Sequence, residues 1–227
     1  GNTVIGTIGI SDKPITVADT RYALTQTKYV KGILTGPCTL AYALKIETPS
    51  YRDREELILD LAVALHSEAK FLEATGTGMM QVDEPILSTG AVGIDVARDA
   101  LKIIFNDIAT PSCIHTCGRL NTIASEWTRL PVDVIDFEYS INPDNLSDIS
   151  RHDLRNKKIG CGCVKSSETE VEKVAEIEKR ILSCVEVFGA ENILIDPDCG
   201  LRMHTPEVAF AKLKNMCDAA RNVRAEL

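Results

Sequence analysis

The sequence predicts an α/β fold of the parallel-barrel type, and two observations support this prediction. Short apolar runs rich in Ile, Val and Leu alternate with helical patterns along the chain, as buried parallel strands and their connecting helices do. Several of these runs stop at a residue that can bind a metal. In a parallel barrel the carboxyl ends of all strands open on one face, so residues far apart in sequence converge there.

Six apolar runs qualify as strands, and a closed eight-stranded barrel would need two more. The sequence begins with Gly1 and not with Met. We therefore expect that two βα units precede Gly1 in the natural protein, with an open sheet as the alternative. The predicted strands are Val30–Thr35, Gly78–Asp83, Pro111–Thr116, Val132–Glu138, Lys157–Cys163 and Asn192–Asp196.

Two long helices are predicted from apolar stripes at steps of three and four residues, over Tyr51–Ala74 and Glu168–Phe188. Ser167 and Glu170 match the pattern of a capping box at the start of the second helix. Pro206 suits the first turn of a last helix, because a proline lacks the N–H that a first turn leaves unpaired.

The N-terminal segment 1–17 is predicted to form a β-hairpin, with the β-like runs Thr3–Ile8 and Pro14–Val17 around a turn at Ser11–Lys13. Beyond it there is no linker, low-complexity segment or break in composition. We therefore expect residues 1–227 to form one partial barrel domain, a size that can bury a substantial core.

Composition argues against several classes of protein. A formal net charge of -8 disfavours a nucleic-acid-binding surface and docking on an anionic membrane, because both need clustered Lys and Arg. No apolar stretch is long enough for a membrane span, and no signal peptide opens the chain. We expect a cytoplasmic protein without nucleic-acid or membrane partners.

The chain has eight cysteines, which we interpret as metal ligands or buried apolar residues and not as disulfides. A large chain with alternating helices and strands and no secretion signal is untypical of a disulfide scaffold. Core packing is predicted for the cysteines in apolar contexts. These are Cys38, Cys113, Cys184 and Cys217. Core packing is also predicted for Cys161 and Cys163, which alternate on a strand, with spare metal ligands as the alternative.

His115, Cys117, Glu138 and Cys199 all fall at or just past the ends of predicted strands. His115 and Cys117 are two residues apart, which puts both side chains on one face of a strand. Taken singly, each has an ordinary interpretation: a hydrogen-bonded core histidine, a packed cysteine, a salt-bridged glutamate and a free thiol in a loop. Taken together, one imidazole, two thiolates and a carboxylate predict a tetrahedral zinc site.

The predicted ligand set also indicates a type of chemistry. Three anionic ligands cancel the charge of Zn²⁺, so such a centre is a poor activator of water. A thiol that binds zinc loses its proton, against a free pKa of about 8.5. The set therefore favours alkyl transfer to a sulfur atom.

Five motifs occur in the order and at the spacing of a known family. Together they cover the chain from about Val4 to its end, and the sequence resembles the catalytic domain of cobalamin-independent methionine synthase, closest in type to the short core enzymes. The motifs are LTGPCT (Leu34–Thr39), QVDEP (Gln81–Pro85), HTCG (His115–Gly118), the glutamate of DFEYS (Glu138) and DPDCGL (Asp196–Leu201).

The resemblance implies a TIM (βα)8-type barrel and an S-methyltransferase that makes methionine from homocysteine. It implies zinc on His115, Cys117, Glu138 and Cys199, with the homocysteine sulfur on the metal and Asp83 holding the amino group. It also implies that the first two barrel strands, which carry a further homocysteine contact, lie before this sequence begins.

Three positions depart from the long, folate-using members of the family. Ala43 and Thr89 replace a Trp and a Glu that help to hold the folate, and Ser167 replaces a His proposed as proton donor. From these differences we expect a methylated corrinoid as the methyl donor, such as methylcobalamin or a corrinoid protein, in place of folate.

Two other functions remain open at this point. The accepting thiol is coenzyme M in the first, although the carboxylate of Asp83 would repel a sulfonate. In the second the chain is a non-catalytic barrel that binds a corrinoid protein or stores metal. His204, beyond the last strand, is interpreted as a loop residue near a helix start.

Overall fold

The computed structural model describes residues 1–154 and 157–227. These divide into two compact units, the first made of residues 1–116 and 129–134 and the second of residues 117–128 and 135–227. Both units are built from parallel strands and helices, and they are described in turn. No helix in the described residues combines the length and the apolar character that crossing a bilayer requires.

The first unit alternates strands with helices. Its elements are β1 (Thr3–Val4), α1 (Val17–Gln26), β2 (Lys31–Thr35), α2 (Pro37–Ala43), β3 (Lys45–Ile46), α3 (Arg54–Glu73), β4 (Met79–Asp83), a 3-10 turn (Pro85–Thr89), α4 (Ile94–Ile104) and β5 (Ser112–Thr116). Strand β4 lies between β2 and β5, and all three are parallel. In this register Asp83 is level with Thr35 on one side and with His115 on the other.

The second unit continues the alternation. It contains α5 (Ala124–Trp127), β6 (Val134–Glu138, whose first residue belongs to the first unit), α6 (Asp144–Ser150), β7 (Lys158–Val164), α7 (Val174–Phe188), a 3-10 turn (Ala190–Asn192), β8 (Ile193–Pro197) and α8 (Pro206–Glu226). Strand β7 lies between β6 and β8 and is parallel to β8, with a register irregularity between Gly162 and Val164.

The predicted parallel α/β architecture is confirmed. Each of the six predicted strands matches an observed strand to within two residues at either end. The predicted helix Tyr51–Ala74 is observed as α3. It begins later, at Arg54, because the side chain of Asp53 accepts a hydrogen bond from the N–H of Glu56 and caps the helix there.

The predicted N-terminal hairpin is wrong. Strand β1 pairs in parallel with β3, some forty residues further along the chain, and Val17 is the first residue of α1. The buried carboxylate of Glu68 on α3 accepts hydrogen bonds from the N–H groups of Ile15 and Thr16, the two residues before α1. This long-range contact turns the chain into a helix where the local pattern indicated a strand.

Helix α7 begins at Val174, six residues later than predicted, and the capping box of Ser167 and Glu170 is not formed. The cause is a buried ion pair. Lys212 on α8 is fully buried, and its ammonium lies 2.7 Å from the carboxylate of Glu172. A buried charge must keep its partner, so the segment before Val174 forms a loop around Lys212 and not a helical turn.

Cysteine packing follows the prediction with one exception. Cys217 lies on α8 with its side chain exposed, so its predicted core position is wrong. Ala219, two residues further along the same helix, is buried. The cysteines that are buried as predicted are Cys38, Cys113, Cys161, Cys163 and Cys184.

The N-terminus of helix α2 is hydrogen-bonded to the buried carboxylate of Glu84. The two oxygens of Glu84 accept hydrogen bonds from the N–H groups of Cys38 and Thr39, each at 2.8 Å. Negative charge at a helix N-terminus is favourable, because the first N–H groups of the helix have no partner within it. Gly36 is required here, since a Cβ at this residue would lie 2.2 Å from the carboxyl carbon of Glu84.

This close approach gives a testable prediction for stability. Gly36→Ala should lower the free energy of unfolding by about 1–3 kcal/mol, the usual cost of overpacking, because the buried carboxylate has no room to move. Gly93 is a matched control, since it also precedes a helix with an extended backbone and an added Cβ meets nothing within 4 Å. Urea unfolding of both variants measures the difference, and equal midpoints would contradict the role of Gly36.

Candidate metal centre

Two predicted site residues lie side by side at the strand ends of the first unit. Asp83, the last residue of β4, and His115 on β5 are register partners in neighbouring parallel strands. His115 is buried, and its carbonyl oxygen accepts a hydrogen bond from the N–H of Glu84. One oxygen of Asp83 accepts a hydrogen bond of 2.7 Å from the amide of Gln81. The strands therefore place a carboxylate beside a histidine.

In the second unit the two predicted cysteine ligands meet. The sulfur atoms of Cys117 and Cys199 are 3.5 Å apart, although the residues are 82 positions apart in sequence. Cys117 is followed by Gly118, whose positive φ of 89° turns the chain directly after β5. Cys199 follows β8 and is exposed. Cys117 is half-buried, and the two thiols are not joined as a disulfide, whose S–S distance is about 2.05 Å.

One ligand atom each of His115, Cys117 and Cys199 lies within 4.8 Å of the others. In a tetrahedral zinc site with Zn–S of about 2.3 Å and Zn–N of about 2.0 Å, the ligand atoms are roughly 3.5–3.8 Å apart. The 3.5 Å between the two sulfur atoms has this spacing. A site with one imidazole and two thiols also favours zinc over magnesium or calcium, which prefer oxygen ligands. The residues present therefore fit zinc.

Glu138, the fourth predicted ligand, lies outside this group of three. One of its oxygens, Oε2, accepts hydrogen bonds of 2.8 Å from the N–H of Gly118 and from the amide of Asn142. The carboxylate is thus fixed beside the turn that carries Cys117. Its role as a metal ligand stays a prediction.

Asp198 is a site residue that the sequence analysis named only as part of a motif. Its carboxylate accepts hydrogen bonds from the N–H groups of Tyr139, Ser140 and Ile141, and from the Ser140 hydroxyl. Burial raises the pKa of Asp198 to about 6, while the bonds from Ser140 act in the opposite direction. At neutral pH the group is still mostly ionised and can accept all these bonds.

Asp198 connects two of the candidate ligands within the second unit. It directly precedes Cys199, and the backbone that it holds directly follows Glu138. Gly162 on β7 leaves the necessary room, since a Cβ there would lie 2.5 Å from the Asp198 carboxylate. The position of the DPDCGL motif, which contains Asp198 and Cys199, therefore determines the position of the DFEYS motif, which contains Glu138.

The loop after β7 contacts the loop after β8 through His204. The Nε2 atom of His204 lies 2.8 Å from the carbonyl oxygen of Ser166, which can only accept, so Nε2 carries the proton. The other ring nitrogen, Nδ1, is buried and has no hydrogen-bond partner among the described residues. Ser167, at the position of the family's proposed proton donor, is exposed. His204 lies in the loop just before α8, as interpreted from the sequence, and it also links two loops.

Gln81 and Asp198 are residues that the sequence analysis named only as parts of motifs, without recognising their roles. Gln81 lies within an apolar strand and Asp198 directly follows one, and both are buried in the structure. The signal in the sequence was a polar residue in or next to an apolar strand, because a buried polar group needs a hydrogen-bond partner. The sequence does not show that the partner is Asp83 in one case and the backbone of residues 139–141 in the other.

The family is established by comparison of sequences. The model of the family described as "Cobalamin-independent synthase, Catalytic domain" matches residues 3–222. The chain therefore belongs to this family, as the five motifs indicated.

Relatives of known sequence agree. A methionine synthase of Methanothermobacter marburgensis is 42% identical over 196 residues, which are 86% of this chain and 63% of that protein. A methionine synthase of Methanocaldococcus jannaschii is 38% identical over 240 residues, which are 99% of this chain and 76% of that protein. The match thus spans less than two thirds of the first relative.

Solved structures show the same fold. A B12-independent methionine synthase from Shewanella sp. W3-18-1, in complex with selenomethionine, superposes with a TM-score of 0.82 at 24% identity, over 99% of this chain and 70% of that one. A putative B12-independent methionine synthase from Listeria monocytogenes gives a TM-score of 0.74 at 20% identity, over 97% and 73%. The predicted α/β fold class of the TIM-barrel type is confirmed.

The comparisons correct the expectation of a methylcorrinoid donor and a corrinoid-protein partner. The family is described as cobalamin-independent, and the similar structures are of B12-independent enzymes. The expectation rested on Ala43 and Thr89, which replace residues that help to hold the folate in the long enzymes, and on Ser167, which replaces a proposed proton donor. The loss of particular contacts to folate does not by itself indicate that the site contacts a corrinoid.

The role of Asp198 can be tested by an isosteric change. Asp198→Asn replaces one acceptor oxygen by an NH₂ group, which then faces backbone N–H donors. We expect a loss of about 2 kcal/mol or more of stability and weaker zinc binding, because a buried donor loses its acceptor. Thermal unfolding and zinc titration measure the two effects. Asp99→Asn is the control, since Asp99 is exposed in a surface ion pair on α4, and an equal response of both variants would refute the role.

Proposed function

We propose that this chain is the catalytic domain of a zinc-dependent methionine synthase, which transfers a methyl group to the thiol of homocysteine without cobalamin. The observation that carries the proposal is the convergence of one ligand atom each from His115, Cys117 and Cys199 within 4.8 Å. Membership of the cobalamin-independent synthase family supports it.

His115, Cys117 and Cys199 are the residues that would hold the zinc ion, and Glu138 is proposed as the fourth ligand. Zinc supplies positive charge that favours the ionised form of a thiol close to it. Glu138 differs from the other three, because its Oε2 already accepts two hydrogen bonds. Glu138 would therefore be the least strongly committed of the four ligands, since the protein already satisfies part of its carboxylate.

Asp83 is proposed to hold the amino group of homocysteine. It ends β4 next to His115, and the Gln81 amide fixes one of its oxygens. A carboxylate at this place attracts an ammonium group and thereby sets the distance of the substrate sulfur from the cysteines. Orientation of the thiol towards the donor then supplies a large part of the rate enhancement.

We propose a folate-type methyl donor, because the family is described as cobalamin-independent. In the reaction the sulfur of homocysteine forms a bond to the methyl carbon while the nitrogen–carbon bond of the donor breaks. The proton lost by the thiol is balanced by the proton that the donor nitrogen gains. Because Ala43, Thr89 and Ser167 replace residues of the long enzymes, we propose that other side chains of this chain contact the donor.

The metal site and the reaction can be tested together. His115→Ala and Cys199→Ser should each abolish zinc retention and methyl transfer. The loss of zinc affinity should exceed the roughly 10- to 100-fold loss that is usual when a residue supporting a metal ligand is changed. Cys217→Ser, which changes an exposed cysteine on α8, should alter neither. Metal analysis after dialysis and a methionine-formation assay are the measurements. Full zinc retention in both ligand variants would refute the site.

The donor and the acceptor are tested by substrate competition. With homocysteine as acceptor, N5-methyltetrahydrofolate should give methionine, and methylcobalamin should give only the background rate. Coenzyme M should fail as acceptor, because the carboxylate of Asp83 repels its sulfonate. Methyl transfer from methylcobalamin alone would contradict the proposed donor. Zinc binding without transfer from either donor would favour a metal-binding barrel that is not catalytic.

A further inference from the structure

Gln81 is a buried polar side chain in the middle of β4. It is 6% exposed and lies between Met80 and Val82, which are fully buried. Burying an amide costs free energy unless both of its ends are hydrogen-bonded, and an apolar side chain would avoid this cost. The packing of β4 therefore gives no reason for a glutamine at this position.

Both ends of the Gln81 amide have partners within the first unit. Its Nε2 donates to an oxygen of Asp83 at 2.7 Å, and its Oε1 accepts from the sulfur of Cys113 at 3.4 Å. A carboxylate only accepts, so the orientation of the amide is determined. The register of β4 and β5 pairs Gln81 with Cys113 and Asp83 with His115, which aligns these four residues on two neighbouring strands.

We propose that Gln81 is a positioning residue, which fixes the carboxylate of Asp83 so that the site selects thiols carrying an amino group. The proposal rests on the proposed function, since it takes Asp83 as the contact of the homocysteine amine. It assigns to Gln81 the preference for an amino-acid thiol over the same thiol without the amine.

The physical reason is the direction of the bond. Residues two apart on a strand point to the same side, so the Gln81 amide meets the Asp83 carboxylate from within the strand and stops its rotation. Hydrogen bonds to a charged group are shorter and stronger than those between neutral groups. Removal of this donor takes away one of the interactions that orient the carboxylate, which weakens the binding of an ammonium group and leaves a ligand without one unaffected.

The test is equilibrium binding of two thiols to the zinc-loaded chain. L-homocysteine and 4-mercaptobutyrate differ only in the amino group, and calorimetry gives the ratio of their dissociation constants. In Gln81→Met the preference for homocysteine should fall by about tenfold or more, the usual effect of a hydrogen bond to a charged group. Binding of 4-mercaptobutyrate and the zinc content should remain unchanged.

Further variants keep the test decisive. Gln26→Met, which changes an exposed glutamine at the end of α1, should leave both dissociation constants unchanged. If Gln81→Met does not fold, Gln81→Asn replaces it, since its shorter amide falls short of Asp83. Cys113→Ser keeps a donor to Gln81 Oε1 and should keep the preference for homocysteine.

Each outcome decides the proposal. Equal weakening of both thiols in the Gln81 variants means a structural role and overturns it. A wild-type chain that shows no preference for homocysteine, or does not bind it, also overturns it. A preference that depends on Gln81 without any methyl transfer refutes the proposed function and leaves this inference standing.

Discussion

Buried carboxylates bonded to backbone N–H groups hold the ends of the strands in place. In the first unit Glu84 accepts from the start of α2, and in the second Asp198 accepts from residues 139–141. An ionised carboxylate costs several kcal/mol to bury, so each loop adopts the one backbone path that supplies the donors. Both carboxylates directly adjoin a residue of chemical interest, Asp83 in one case and Cys199 in the other. The placement of the candidate site is therefore a consequence of how two charges are satisfied.

The strands could be predicted because buried parallel strands have a local signature. Apolar runs such as that of β4 end where the chain emerges from the core, and the observed ends agree with the sequence pattern. The hairpin at the N-terminus and the start of α7 could not be predicted in this way. Both depend on single buried charges, Glu68 and Lys212, whose partners are about forty to fifty residues away in sequence. A local sequence pattern does not indicate which distant residues will pair.

The candidate site also contains residues that the local sequence predicts and residues that it does not predict. His115, Cys117 and Cys199 were predictable because each is a chemically distinctive residue at a strand end, and parallel strands bring their ends together. The supporting residues Gln81 and Asp198 were not, because their importance comes from partners that only the folded chain defines. Glu138 lies between these cases, since its carboxylate is beside Gly118 but outside the group of three.

The short distance between the sulfur atoms of Cys117 and Cys199 has a consequence for the metal-free chain. At 3.5 Å the two atoms are about 1.5 Å further apart than in a covalent S–S bond, and Cys199 is exposed to solvent. A small movement of the Cys199 loop in the presence of an oxidant would join them. That bond would remove both sulfur atoms from coordination at once, so the two cysteines can act as metal ligands only under conditions that keep their thiols reduced.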